Sequence, residues 1–308
     1  MNPYVIEGES TSTVPGASDI RLLTREGSIG EGLLRATPKA IQELPVLPEI
    51  STRIMQLLRD PESTVKDIAE TIRQDQAIAV KILQLANSAL YGGLSTISNL
   101  DAACARLGTR TVANAVQAVA NGNLYVTGHK EFRDLMRNYW VHAVATAHCA
   151  NHIATVIAEP RGDALFVAGL IHDVGAVVLL DIIASTRKGA LGQLHNSPKL
   201  VNEVLAGYSH LVGLHVVHHW KLPPLFAVTT YFHHSPDLVT SDELRTAAHV
   251  VCLADAVAEA SGFGVDDGSP SLVTHQSAKY LGLSDIKLAV MRADLEDAIK
   301  PILAIAGP

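Results

Sequence analysis

Apolar residues recur at three- and four-residue spacing along most of the chain, the period of an amphipathic helix. Pro48 stands where a first helical turn accepts proline, and Ile50, Ile54, Leu57 and Leu58 then share one face before Asp60-Pro61 ends the run. Thr64 and Asp67 have the spacing of a capping pair, with Val65, Ile68, Ala69 and Ile72 following at helical intervals. The pattern predicts a helix over 78–91, closed by Gly92-Gly93, and further helices ending near Gly108 and near Asn121-Gly122. Such small residues suit a left-handed helix terminus. The second half predicts helices over 130–158, 163–184, 198–206, 209–220, 223–234, 242–261 and 285–305. In the last of these, Leu288, Met291, Leu295, Ile299 and Ile302 form a face that could pack on the chain's own core or on a second chain, the chain's own core being the expectation. Period-two alternation between hairpin turns is absent, and so is any repeat of fixed length. The fold class expected is all-α, a multi-helix bundle. Residues 1–36 carry Gly, Ser, Thr and Pro without apolar periodicity and read as a flexible arm.

Composition narrows the picture. Apolar residues make up 48% and aromatics only 5%, so Ala, Leu, Val and Ile must supply a core of closely approaching helices. The net charge of −7 and the absence of a basic run leave nothing to attract a phosphate backbone, so direct nucleic-acid binding is not expected. Cys104, Cys149 and Cys252 form no Cys-x-x-Cys pair, and no signal peptide is visible. A reduced, cytoplasmic protein is the expectation. The apolar run 165–184 contains His172, Asp173 and Asp181, which argue against a membrane span.

The candidate chemistry lies in histidine and aspartate. Fourteen histidines are present, and His142, His172-Asp173, His210, His233-His234 and Asp255 fall on or at the ends of predicted helices in the second half. Adjacent on one predicted helix, His172 and Asp173 would flank a single ion if helices carrying His142 and Asp255 met them. Imidazole and carboxylate donors suit Fe, Mn, Ni, Co or Zn. Water on such an ion is acidified, which is how metal sites cut phosphate esters near neutral pH. The simpler reading of any one of these residues is a helix-end histidine on a carbonyl, or a hydrogen-bonded core pair. The surroundings weigh against that for His172-Asp173. Leu170, Ile171, Val174, Val177 and Val178 enclose the doublet, and a charged pair there is costly unless matched by a partner or a metal. His148/His152 and His215/His219 have the spacing of half a zinc site but lack the Glu of a zinc-protease motif, and read as core-lining or partly exposed. No phosphate-binding glycine loop or Gly-x-Ser-x-Gly elbow occurs.

Several motifs taken in order make the chain resemble the HDOD domain family. They are 44–49 (LPVLPE), Ile72-Arg73-Gln74-Asp75, 85–91 (LANSALY), Arg106-Leu107-Gly108, Trp140-Val141-His142, 169–175 (GLIHDVG), Trp220-Lys221-Leu222-Pro223 and His233-His234. The resemblance covers residues of about 40 to 260. It implies an all-helical bacterial regulatory domain related to the HD phosphohydrolases, generally without demonstrated catalysis. The implied layout is an N-terminal helical lobe over 37–128, an HD-like lobe over 129–262 and a C-terminal helical extension over 263–308. It also implies a metal set of His142, His172, Asp173 and Asp255. His210, His233 and His234 fall where two-metal relatives that cut cyclic dinucleotides carry further histidines. Three departures stand out. Ala176 replaces the lysine that usually follows the glycine of His-Asp-x-Gly, removing a positive charge that a phosphate would use. The Gly-Tyr-Pro signature of the cyclic-dinucleotide enzymes is absent, Gly207-Tyr208-Ser209 being an echo at the wrong place, and Gln76 stands where proline usually follows Asp75.

Three functions remain open on these grounds. The first is a signalling module binding separate proteins, with a ligand or metal and no turnover. The second is a metal-dependent phosphohydrolase acting on a nucleotide or cyclic dinucleotide, and the third a structural scaffold. Asn87 and Ser88, beside Tyr91, read as a helix end whose side chains satisfy free carbonyls, the alternative being a partner or ligand surface.

Overall fold

The computed structural model describes residues 29–44, 48–93, 95–186, 189–265 and 271–306. Among them there is no strand. In chain order the helices are α1 (Ile29–Glu43), α2 (Glu49–Arg59), α3 (Val65–Arg73), α4 (Gln76–Ala86), α5 (Leu100–Leu107), α6 (Thr109–Asn121), α7 (Arg133–Val156) and α8 (Gly162–Ile171). There follow α9 (Val174–Ser185), α10 (Gly189–Gly192), α11 (Pro198–His219), α12 (Pro224–Phe232), α13 (Asp242–Ala258), α14 (Gln276–Tyr280) and α15 (Asp285–Ala306). The all-α expectation holds.

The chain divides into two compact units, each assembled from separated segments. The first comprises Met1–Leu44 (described from Ile29), Thr127–Arg133 and His172–Cys252. In it α9 packs on α11 and α1, and α11 packs on α12. The second comprises Pro45–Val126, Asp134–Ile171 and Leu253–Pro308. There α6 is the hub, touching α2, α4, α5, α8 and α15. The span 129–262 thus contributes to both units, changing over at Asp134, at His172 and again inside α13, after Cys252.

Local chemistry sets the helix limits. Thr64 and Asp67 form a reciprocal capping box at the start of α3, as their spacing predicts. Gly108, at φ +78°, closes α5 in a conformation that side chains with a Cβ resist. Gly122 does not act this way. Its φ is −56° and the chain runs on into a 3-10 turn, while a Cβ there would lie 2.8 Å from the Ala306 carbonyl oxygen. Close approach of the end of α15 requires that glycine.

Four expectations need correction. Part of the arm, from Ile29, is helical: α1 turns Gly30, Leu33, Thr37 and Ile41 inward. Two of these four are not hydrophobic, so the face left no apolar period. Residues 1–28 lie outside the described residues, as do 45–47 of the LPVLPE motif. The helix predicted over 78–91 ends at Ala86, where Asn87 takes over. The two helices predicted over 198–206 and 209–220 are one, α11, because Gly207-Tyr208-Ser209 continues the helix at a position where glycine is tolerated at a cost of about 1 kcal/mol. Finally, the apolar run 163–184 is not one helix but two, α8 and α9, interrupted at His172-Asp173.

Candidate metal centre

The interruption decides how the doublet is presented. His172 and Asp173 occupy a turn, so they are not a quarter-turn apart on one helix. Asp173 is the residue before α9 and makes no side-chain capping bond. Its carboxylate instead faces two imidazoles. Oδ2 lies 3.5 Å from Nε2 of His172, and Oδ1 lies 3.6 Å from Nε2 of His233. The two rings meet edge to face with centroids 5.1 Å apart. Both histidines are buried, whereas the Asp173 side chain is 20% exposed, so the cluster has one open side.

Two features of the first unit hold this cluster. Gly175, two residues after Asp173, lies where α9 crosses α11. A Cβ on it would overlap the Ser209 carbonyl and sit 2.5 Å from Gly213 N. His233 follows α12, and its Nδ1 lies 2.9 Å from the Thr230 carbonyl oxygen. A carbonyl only accepts, so Nδ1 carries the proton and a neutral ring turns the Nε2 lone pair toward Asp173. His234 lies tilted beside His233 with centroids 4.0 Å apart, and His210 packs on the Tyr231 ring at 5.2 Å. Burial, and then the nearby His234, push the His210 imidazole below its ordinary basicity.

The second unit holds the remaining two expected ligands as a pair. Nε2 of His142, on α7, lies 3.1 Å from Oδ1 of Asp255, on α13, and both residues are buried. Here too a carbonyl fixes the ring: His142 Nδ1 lies 2.9 Å from Phe263 O. That carbonyl is brought back by the π-turn Glu259–Phe263, which turns at Gly262 with φ +86°. Trp140 is buried beside Tyr125, ring centroids 5.3 Å apart, and the Tyr125 hydroxyl donates to Leu170 O at 2.7 Å. That bond anchors the end of α8 two residues before His172. Gly169 meets α7 closely, since a Cβ on it would lie 2.6 Å from Ala147 Cα.

The donors fit a divalent cation. Ring nitrogens fixed by carbonyls at Nδ1 and aimed through Nε2 at carboxylates are the arrangement in which outer partners set the tautomer of metal-binding histidines. Two ligand atoms each about 2.1 Å from an ion are separated by about 3.0 Å at a right angle and about 3.4 Å at a tetrahedral one. The observed separation of 3.1 Å lies between these edges, and those of 3.5 and 3.6 Å lie just beyond the tetrahedral one. Without a cation or an added proton, the His142 and His233 pairs would each set a lone pair against a carboxylate. In the first unit His172, Asp173 and His233 would hold an ion, and in the second the donors are His142 and Asp255.

Other sites expected from the sequence resolve differently. His148/His152 and His215/His219 gather no third His, Cys, Asp or Glu among the described residues. Burial, reinforced by His152, pushes His148 down to about 4, which marks it as a neutral core-lining ring. Asn87 is structural. Its amide nitrogen donates to Leu83 O and Ile97 O, and its oxygen accepts from Ile97 N, at 2.8–2.9 Å. Arg106 pins the same loop through Ala86 O and Ser95 O. Ser88 is partly buried, and the half-buried Tyr91 has its phenol pushed up by burial. One residue escaped sequence reasoning. His275, with a buried Nδ1, feels the Asp255 carboxylate, which opposes the downward push of burial. It carries no motif that would have flagged it.

The family model for the HDOD domain matches residues 44–236, and the chain belongs to the HDOD domain family. A crystal structure of an HDOD domain protein with unknown function from Geobacter sulfurreducens is similar, with a TM-score of 0.66 and 26% identity over 89% of this chain and 97% of that one. The fold is shared with a candidate signal transduction protein of Marinobacter aquaeolei VT8 (TM-score 0.63, 19% identity, 91% of this chain and 67% of that one). It is also shared with a candidate metal-dependent phosphohydrolase of Shewanella amazonensis SB2B (TM-score 0.57, 20% identity, 90% and 97%). A curated relative, an uncharacterized protein of Treponema pallidum (strain Nichols), is 26% identical over 63% of this chain; the match spans only 38% of the relative's length.

Proposed function

We propose that this chain is a bacterial, cytoplasmic signal-transduction module that binds separate signalling proteins and holds a divalent cation without turning over a substrate. The ligands proposed are His172 and Asp173, with His233 as a further donor, in one unit, and His142 and Asp255 in the other. The observation that carries the reading is the pair of carbonyl-fixed imidazoles, His142 and His233, each aimed at a carboxylate. A purely structural scaffold leaves that costly burial unexplained.

A phosphohydrolase would use the same donors, and an ion bound there would acidify water. Ala176 disfavours it. This residue is 1% exposed within α9 and offers no charge to a phosphate where the hydrolases place lysine. Membrane or nucleic-acid partners are not part of the proposal. The test is a turnover assay of the purified chain with Mn or Fe on nucleotides and cyclic dinucleotides. No metal-dependent hydrolysis is expected. Hydrolysis that Asp173→Ala abolishes would establish the enzyme reading instead.

A further inference from the structure

Helix α15 buries one face and carries apolar residues over the first turns of the opposite one, up to Asp297. Leu288, Met291, Leu295, Ile299 and Ile302 point inward, toward α4 and α6. At about 100° per residue, Ile286, Val290 and Ala293 fall on the far side. Ile286 is 77% exposed and Val290 53%, and Ala289 and Ala293 beside them are exposed as well. The chain leading into α15 exposes Val273 and Tyr280 too. The middle of an outward helix face ordinarily carries charge, and an apolar patch there marks a contact surface.

Charge indicates what covers it. Lys287 and Asp294 flank the stripe on one side, seven residues and about 10.5 Å apart, too far to meet each other along the helix. Both are exposed, and neither makes an ion pair with another described residue. Lys300, by contrast, is held by Glu296 and Asp297 of its own helix. Lys287 precedes Val290 by three residues and Asp294 follows it by four. In an antiparallel pair of α15 helices crossing near Val290, each Lys287 therefore meets the partner's Asp294, twice over, while the apolar stripes cover each other. Such a self-complementary patch is what a two-fold interface requires.

We propose that the outer face of α15 is a homodimer surface, occupied by α15 of a second copy in antiparallel orientation. The inference is independent of the cation site. A single helix pair is small against a typical interface, so the dimer is expected to be weak and concentration-dependent.

Sedimentation equilibrium of the full chain over a hundredfold concentration range tests it. The wild type should pass from monomer to dimer, and Val290→Glu should weaken association at least about tenfold with an unchanged circular dichroism spectrum. Lys287→Glu and Asp294→Lys should each weaken it, and the combined swap should return it to near the wild-type value. A wild type that stays monomeric overturns the proposal. So does a dimer indifferent to Val290→Glu, or one that the double swap fails to restore.

Discussion

Oδ1 of Asp173 stands 3.6 Å from Nε2 of His233 while the other nitrogen of that ring is fixed by Thr230 O at 2.9 Å. The same carboxylate faces His172 through its second oxygen. One carboxylate thus faces two imidazoles, and replacing it by an isosteric neutral amide should preserve the shape while removing the attraction for a cation. In Asp173→Asn, affinity for Mn should fall at least about tenfold. Added Mn should raise the melting temperature of the wild type and leave the variant nearly unmoved, because only a ligand that binds the folded state stabilises it. Equal shifts in both proteins would remove Asp173 from the ligand set.

The crossing at Gly175 predicts a contrast between two glycines. Gly175→Ala drives a methyl into Ser209 O and Gly213 N, which are backbone atoms that cannot rotate away. It should cost at least about 3 kcal/mol in urea denaturation. Gly207→Ala meets nothing within 4 Å and lies on the exposed side of α11, so it should stabilise by about 1 kcal/mol. Similar losses at both positions would show that the α9–α11 crossing is not as close as described.

His148 predicts a pH dependence. Burial holds its folded value at about 4, below the ordinary 6.5 of the unfolded chain. Between these values the unfolded state takes up a proton that the folded state refuses, so this contribution is fully present above pH 6.5 and is lost as pH falls toward 4. The steepest slope is about 1.4 kcal/mol per pH unit. His148→Gln should flatten the wild-type decline across that window. A parallel decline in the variant would assign it to other groups.

Asn87 binds backbone atoms of Leu83 and Ile97 through its whole amide. Asn87→Ala should therefore destabilise by about 1–2 kcal/mol and speed proteolysis of the loop to Ile97. Retained stability with lost binding of a signalling partner would restore the recognition reading for this position.

Much of the fold was legible because its helices announce themselves by period and punctuation. Thr64 and Asp67 gave a cap, Gly108 a stop, and the inward face of α15 a clean apolar series. Where the inward residues are small or polar, as with Gly30 and Thr37 of α1, the same reading failed. The break at His172-Asp173 was hidden for the opposite reason. Apolar residues on both sides kept the pattern running through a turn that polar geometry, not periodicity, creates. The site residues were named from residue type, order and family resemblance. What no sequence pattern carried was their second layer: the carbonyls of Thr230 and Phe263 that orient the rings, and His275 near Asp255. Those contacts arise from backbone positions, where residue identity gives little warning.

Elemental analysis of the purified full chain, run beside His172→Ala, tests the central claim most directly. The wild type should carry about one or two divalent ions per chain, and the variant should lose them together with part of its thermal stability. A wild type free of metal, with a melting temperature that His172→Ala leaves unchanged, would contradict a cation-holding regulatory site.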